Sequence, residues 1–200
     1  MRQVNMRFTH IFITFAAVAQ VVQGATPPEL ILTNGRIYTV DAARPWAEAV
    51  AIGGTRIVAV GSAREIAALA GAGTRTIDLK GAFVSPGFSD SPGTNAARYF
   101  LTPVYGLYAA VSPQTLTGDP KAGWFPDQRL TIEEAIEAYT KAPAWASFEE
   151  ESKGTITPGL VADLAVFDTN LVEVGRSNPA GLLKARVLYT IAGGRLVYQR

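Results

Sequence analysis

Strand-forming runs crowd both ends of this chain, and each is interrupted by residues suited to tight turns. ELILTNGRIYTVD sets two β-rich runs around Asn34-Gly35, AVAIGGTRIVAVG does the same around Gly53-Gly54, and TRTIDLKGAFVSP carries two shorter runs around Lys80-Gly81. Asn-Gly is the pair best suited to a two-residue hairpin, because both central positions tolerate positive φ. The N-terminal part therefore reads as a small β-meander with one helix: Ser62 and Glu65 stand at capping-box spacing, and Gly71 is placed to end the helix. At the far end, TITPGLVADLAVFD gives a strand after Pro158-Gly159, and ARVLYTIAGGRLVYQR a last hairpin around Gly193-Gly194. NGRIY, GGTRIV and GGRLV look alike, which shared turn chemistry explains without an internal repeat. Isolated hairpins are only marginally stable in water, so the strands at 29–60 and 187–199 are expected to pair into one antiparallel core.

The middle is different. TIEEAIEAYTKA has apolar residues at Ile132, Ala135, Ile136 and Tyr139, with Thr131 and Glu134 again at capping-box spacing, and predicts a helix. Pro143 is expected to end or kink it, with AWASFEE adding a turn or two. Trp124, Phe125, Trp145 and Phe148, with Tyr105, Tyr108 and Tyr139, are expected to serve core packing, since large aromatics supply buried area.

Residues 1–24 follow other rules. Arg2 and Arg7 precede the apolar run IFITFAAVAQVV, and Val22-Gln23-Gly24 offers small residues at the −3 and −1 positions of a cleavage site. This is the pattern of a secretory signal peptide. A membrane anchor fits less well, because about 12 apolar residues fall short of the roughly 20 that a spanning helix needs. The expected location is secreted or periplasmic, with no membrane attachment after cleavage. The segment holds two of the 18 basic groups and none of the 17 acidic ones, so 16 basic face 17 acidic in the remainder, a net charge of −1. The basic residues are scattered singly, which argues against nucleic acid as a partner. There is no cysteine, so an exported chain would have neither a disulfide nor a thiolate metal site.

Six stretches together resemble a known family. LILTNGRIYTVDAARPWAEAVAI, GTRIVAVG, IDLKGAFVSPGF, GWFPDQRLTIEEAIEAYT, ASFEEESKGTITPGLVADLAVFD and VLYTIAGGRLVY are similar to the amidohydrolase superfamily, in particular its exported amidohydrolase-3 or YtcJ-like branch. The resemblance implies metal-dependent hydrolysis of non-peptide C–N bonds in small-molecule amides. It also implies two structural parts: a composite β-sandwich of the metal-dependent hydrolase type built from both chain ends, and a (β/α)₈ barrel inserted between them that carries a divalent metal such as zinc. The expected fold is mainly β with some α. A signal peptide (1–24) precedes the N-terminal half of the sandwich (25–88), a mostly helical barrel remnant (89–154) and the C-terminal half of the sandwich (155–200).

The resemblance breaks at the metal. In the family the strand ending P-G-F leads to an acidic residue and H-x-H. Here Pro86-Gly87-Phe88 is followed by Ser89-Asp90-Ser91-Pro92, which looks like the family segment that holds a water-activating aspartate. The 67 residues from Phe88 to Gly154 cannot close a barrel that takes roughly 250. The single histidine is His10, inside the expected signal. Zinc prefers nitrogen and sulfur ligands, so neither metal ligand nor cofactor is expected. Asp90 is the one catalytic candidate that the motif carries over. Its other reading is a turn or cap residue, as aspartate beside serine favours. Glu149, Glu150 and Glu151 are consecutive and point in different directions on a helix end. Triads need a histidine, and the glycine pairs lack the spacing of a phosphate loop.

The expected function is thus an amidohydrolase-like protein without activity. The alternatives are an exported β-sandwich binding or assembly module, or a gene fragment with no selected function. Loss of the barrel is expected to bare apolar surface, through which the chain could self-associate.

Overall fold

Strand pairing in the computed structural model, which describes residues 26–89 and 103–200, brings the two ends of the chain into one sheet. Along the chain run β1 (Leu30–Thr33), β2 (Arg36–Tyr38), β3 (Trp46–Ala47), β4 (Ala49–Gly53), β5 (Arg56–Gly61), α1 (Ala63–Ala67), β6 (Arg75–Asp78) and β7 (Phe83–Pro86). After them come α2 (Pro103–Val111), α3 (Ile132–Ala146), β8 (Leu164–Phe167), α4 (Leu171–Ser177), β9 (Val187–Ala192) and β10 (Arg195–Gln199). The smaller sheet has the order β5-β4-β1-β6, and the larger one β10-β9-β8-β7-β2-β3. Strands of the two chain ends meet where β7 pairs antiparallel with β8, from Phe83 opposite Phe167 to Pro86 opposite Leu164.

The N-terminal part is not a meander. β1 and β2 flank Asn34-Gly35 yet lie in different sheets, and so do β6 and β7 on either side of Lys80-Gly81. Leu32 and Ile37, from the two sheets, both sit in the core between them, so the chain must turn across that core rather than fold back beside itself. Positive φ serves a corner as well as a hairpin: Asn34 has φ 54°, Lys80 50° and Gly81 85°. The two crossings run side by side, with Leu79 N–H donating to Thr33 O at 2.8 Å, Gly81 N–H to Asn34 O at 2.7 Å and Arg36 N–H to Ala82 O at 2.9 Å. As a result β1 pairs parallel with β6, and β2 with β7. Likewise β9 and β10 do not pair directly with the strands at 30–61; β7 and β8 stand between them.

The other two turns are hairpins. Gly53 pairs with Arg56 across the β4–β5 turn, and Ala192 with Arg195 across the β9–β10 turn, where Gly193 and Gly194 have φ of 53° and 76°. The tips of these hairpins touch: a methyl group on Gly194 would collide with the Gly54 carbonyl, whereas one on Gly193 would meet open space.

The central strands of the larger sheet, β7 and β8, are buried on both faces. Val84, Leu164, Val166 and Ile191 face the smaller sheet together with Leu32 and Ile52. Phe83, Ala165 and Phe167 face the other way, onto Leu107 of α2, Ile132 and Ile136 of α3, and Leu171 of α4. Helices thus cover this outer face over β7 and β8, and part of the cover, α4 and the 3₁₀ turn Pro179–Lys184, comes from residues 155–200. The capping boxes at Ser62/Glu65 and Thr131/Glu134 both form, while α1 stops at Ala67, ahead of Gly71.

Four aromatics expected in the core are instead on the surface: Trp124 is 56% exposed, Phe125 74%, Trp145 70% and Phe148 92%. In α3 the buried stripe is Ile132, Ala135, Ile136, Thr140 and Ala144. Trp145 lies roughly 180° around the helix from its centre, at about 100° per residue. Tyr108 is buried, Tyr105 half-buried, and Tyr139 packs edge-on against Phe88 with ring centres 6.3 Å apart.

The hairpin contact yields a comparison. Gly193→Ala is expected to cost about 1 kcal/mol, the usual left-handed penalty for a residue with Cβ. Gly194→Ala should cost clearly more, because the same penalty is joined by a clash with backbone. Urea midpoints at unchanged m-value measure both, and equal losses would show that the tips do not press on one another.

Candidate functional site

Pro143 sits inside α3 without ending it; the helix continues to Ala146, and Ser147 N–H closes the last turn onto Pro143 O at 3.0 Å. A proline has no N–H for the carbonyl four residues back, which here belongs to Tyr139. That carbonyl accepts from Ser89 N–H at 2.8 Å. Two residues earlier, Gly87 N–H donates to Asp163 O at 2.8 Å. The chain leaving β7 is thus tied to the start of β8 and to the middle of α3.

Beside this anchor lies a cleft of about 450 Å³, between the outer face of the larger sheet and the second half of α3. Its walls are mostly apolar, including Phe88, Val104, Ala144, Ala165 and Phe167. Several of the polar groups that line it are bonded within the fold. Thr140 Oγ1 donates to Ile136 O at 2.8 Å. Ser147 Oγ has two acceptors for its one proton within reach, Pro143 O at 3.0 Å and Glu149 Oε2 at 2.8 Å. Lys153 Nζ stands 2.6 Å from Glu149 Oε2, and Asp163 Oδ1 accepts from Gly193 N–H at 2.7 Å.

The electrostatics match that picture. The Lys153 ammonium and then the Ser147 hydroxyl hold the Glu149 carboxyl below its ordinary range. Glu134 is likewise lowered, first by the Thr131 N–H and then by the Thr131 hydroxyl of the capping box. These are carboxylates fixed by local hydrogen bonds, the opposite of a carboxyl raised by burial to act as a general acid. Glu149, Glu150 and Glu151 are all exposed.

Asp90, the catalytic candidate from the motif, lies outside the described residues, as does His10. Among the described residues no group of three or more His, Cys, Asp or Glu side chains could hold a metal ion. With no cysteine in the sequence and one histidine at position 10, the donor set does not fit the zinc that the family resemblance implies. The Ser89–Tyr139 anchor was not foreseen, although its signal, a proline inside an otherwise helical pattern, was in plain view. Among the described residues no helix is long and apolar enough to cross a membrane.

Three comparisons bear on this arrangement. A model of the amidohydrolase family matches residues 99–198. The N-substituted formamide deformylase of Arthrobacter pascens is 36% identical over 99 residues, which is 50% of this chain and 17% of that protein. YtcJ of Bacillus subtilis (strain 168) is 26% identical over 117 residues, 58% of this chain and 22% of that protein. The chain therefore spans less than a quarter of the length of these curated relatives. The solved structure of an enamidase, a member of the amidohydrolase superfamily, aligns with a TM-score of 0.55 over 86% of this chain and 96% of that one; at 11% identity the likeness is one of fold.

Proposed function

The chain belongs to the amidohydrolase family, and from that membership we propose a catalytically silent member, a composite sandwich that has lost the barrel and with it the metal. One observation carries the reading: from residue 25 onward the sequence contains neither histidine nor cysteine. Family chemistry on small-molecule amides uses a bound metal to lower the pKa of water from about 16 to about 7 and to polarise the carbonyl. Without nitrogen or sulfur donors this chain lacks the means to hold one, and a carboxylate such as Asp90 does not replace it, since the shortfall amounts to many kcal/mol of barrier. Residues 89–154 are, on this reading, what remains of the barrel between the two halves of the sandwich. The purified chain is expected to carry no stoichiometric zinc by mass spectrometry and to hydrolyse N-acyl amino acids and simple amides at background, with Asp90→Asn indistinguishable from it. Bound zinc at one per chain, or turnover that disappears in Asp90→Asn, would overturn the reading.

We further propose export, on the strength of Arg2, Arg7, the apolar run at 11–22 and the small residues at Val22 and Gly24. N-terminal sequencing of the chain from its natural compartment is expected to begin at Ala25; an intact Met1 form in the cytoplasm would refute this.

A second reading, self-association as an assembly module, is favoured by the exposure of Trp124, Phe125, Trp145 and Phe148. Exposed apolar groups serve as contact surfaces or aggregation sites where they gather into a patch. Sedimentation is expected to show concentration-dependent oligomers, reduced in Trp145→Ser/Phe148→Ser; a chain that stays monomeric at all concentrations would remove this reading and leave the first intact.

A further inference from the structure

Asn34-Gly35 is the one Asn-Gly pair in the sequence, and in the fold it forms a corner between sheets. The pair has chemistry of its own. The deprotonated backbone nitrogen of the glycine can attack the asparagine side-chain carbon. The C–N bond to the side-chain nitrogen breaks, ammonia leaves with the proton, and a five-membered imide remains. Water then opens the imide to aspartate or its β-linked isomer, so no oxidant or reductant takes part. Glycine lets the reaction run because no Cβ obstructs the approach.

In the folded chain both reacting groups are engaged. Gly35 N–H donates to Glu48 O at 2.9 Å, and Asn34 Nδ2 donates to Asp78 Oδ1 at 3.1 Å. The Asn34 carbonyl accepts from Gly81 N–H at 2.7 Å, which ties the residue to the second crossing. Gly35 is buried while Asn34 is exposed, so the side chain meets water and the attacking nitrogen does not. We propose that Asn34 is a deamidation site gated by this joint: shut while the β1–β2 and β6–β7 crossings are bonded to each other, and reactive in chains whose joint has opened. The product reinforces the opening. An aspartate at position 34 has no N–H to offer Asp78 and sets a second negative charge against it, so a modified chain recloses less readily.

Peptide mass spectrometry of position 34 tests this on the full chain, incubated at neutral pH folded or in concentrated urea. The unfolded chain is expected to convert at least about tenfold faster, as protection by local structure implies. Asp78→Ala, checked for folding by circular dichroism, should convert faster than wild type under native conditions. Asn34→Asp should unfold at lower urea, and adding Asp78→Asn, which restores a donor–acceptor pair in the reverse sense, should recover part of that loss. Should Asp78→Ala not fold, this last pair of variants and the urea comparison still decide. Equal conversion in folded and unfolded chains, a wild-type rate in folded Asp78→Ala, or an Asn34→Asp chain as stable as wild type would each overturn the proposal.

Discussion

The antiparallel pairing of β7 with β8 is the contact on which the rest of the fold depends. Among the pairings of these strands it also closes the longest loop, since 77 residues, Gly87 to Asp163, separate β7 from β8. Loop closure at that length costs roughly 4 kcal/mol before constants. Against it stand Phe83, Val84, Leu164, Val166 and Phe167, all buried, each worth about 1.5–3 kcal/mol on full burial. Burial outweighs closure, and so one short ladder suffices to join β2 and β3 from one chain end with β9 and β10 from the other. The smaller sheet follows, because β1 and β6 are the continuations of β2 and β7 across the core.

Burial on both faces imposes the next constraint. A strand such as β8, with Leu164 and Val166 on one side and Ala165 and Phe167 on the other, needs a second layer outside the sandwich. The helices supply it, and they approach closely where glycine permits. Tyr139 of α3 lies over Gly106 of α2, and Ile132 over Gly175 of α4, each too near to leave room for a methyl group. The helical segment between the sandwich halves is thus part of the fold's core, which accounts for a chain this short covering its own outer face.

What was legible in the sequence was local. Capping boxes at Ser62 and Thr131 and the hairpins at Gly54 and Gly193 depend on residues within four positions of each other, and all form. The corner at Asn34 was not legible as a corner. Its positive φ fits a hairpin equally well, and the choice rests on Leu32 and Ile37 meeting across a core whose other members are far away in sequence. Two misses left a usable trace. Asn170 and Glu173 repeat the cap spacing, and Glu173 N–H does bond to Asn170 Oδ1 at 3.2 Å, opening α4. Trp145 falls opposite the Ile132–Ala144 stripe on a simple helical wheel. Phe148 gave no comparable sign, because its exposure follows from the chain leaving the helix at φ 59°.

The cleft beside Ser89 follows from the way α3 is anchored to the chain leaving β7. A proline within a helix typically costs about 3 kcal/mol, in part through a lost backbone bond, and here the Tyr139 carbonyl recovers a donor from Ser89. Three of the polar groups around the cleft are bound to their neighbours: Lys153 to Glu149, Asp163 to the Gly193 turn, Thr140 to its own helix. A general base or a metal ligand has to offer a lone pair to something other than the scaffold. In a sequence whose imidazole is confined to position 10, the carboxylates would have to supply it. Glu134 and Glu149 are held toward the ionised form by a helix cap and by the Lys153 ion pair, bonds that would have to be broken first. These bonds hold the carboxylates to the scaffold of the sandwich and its helices.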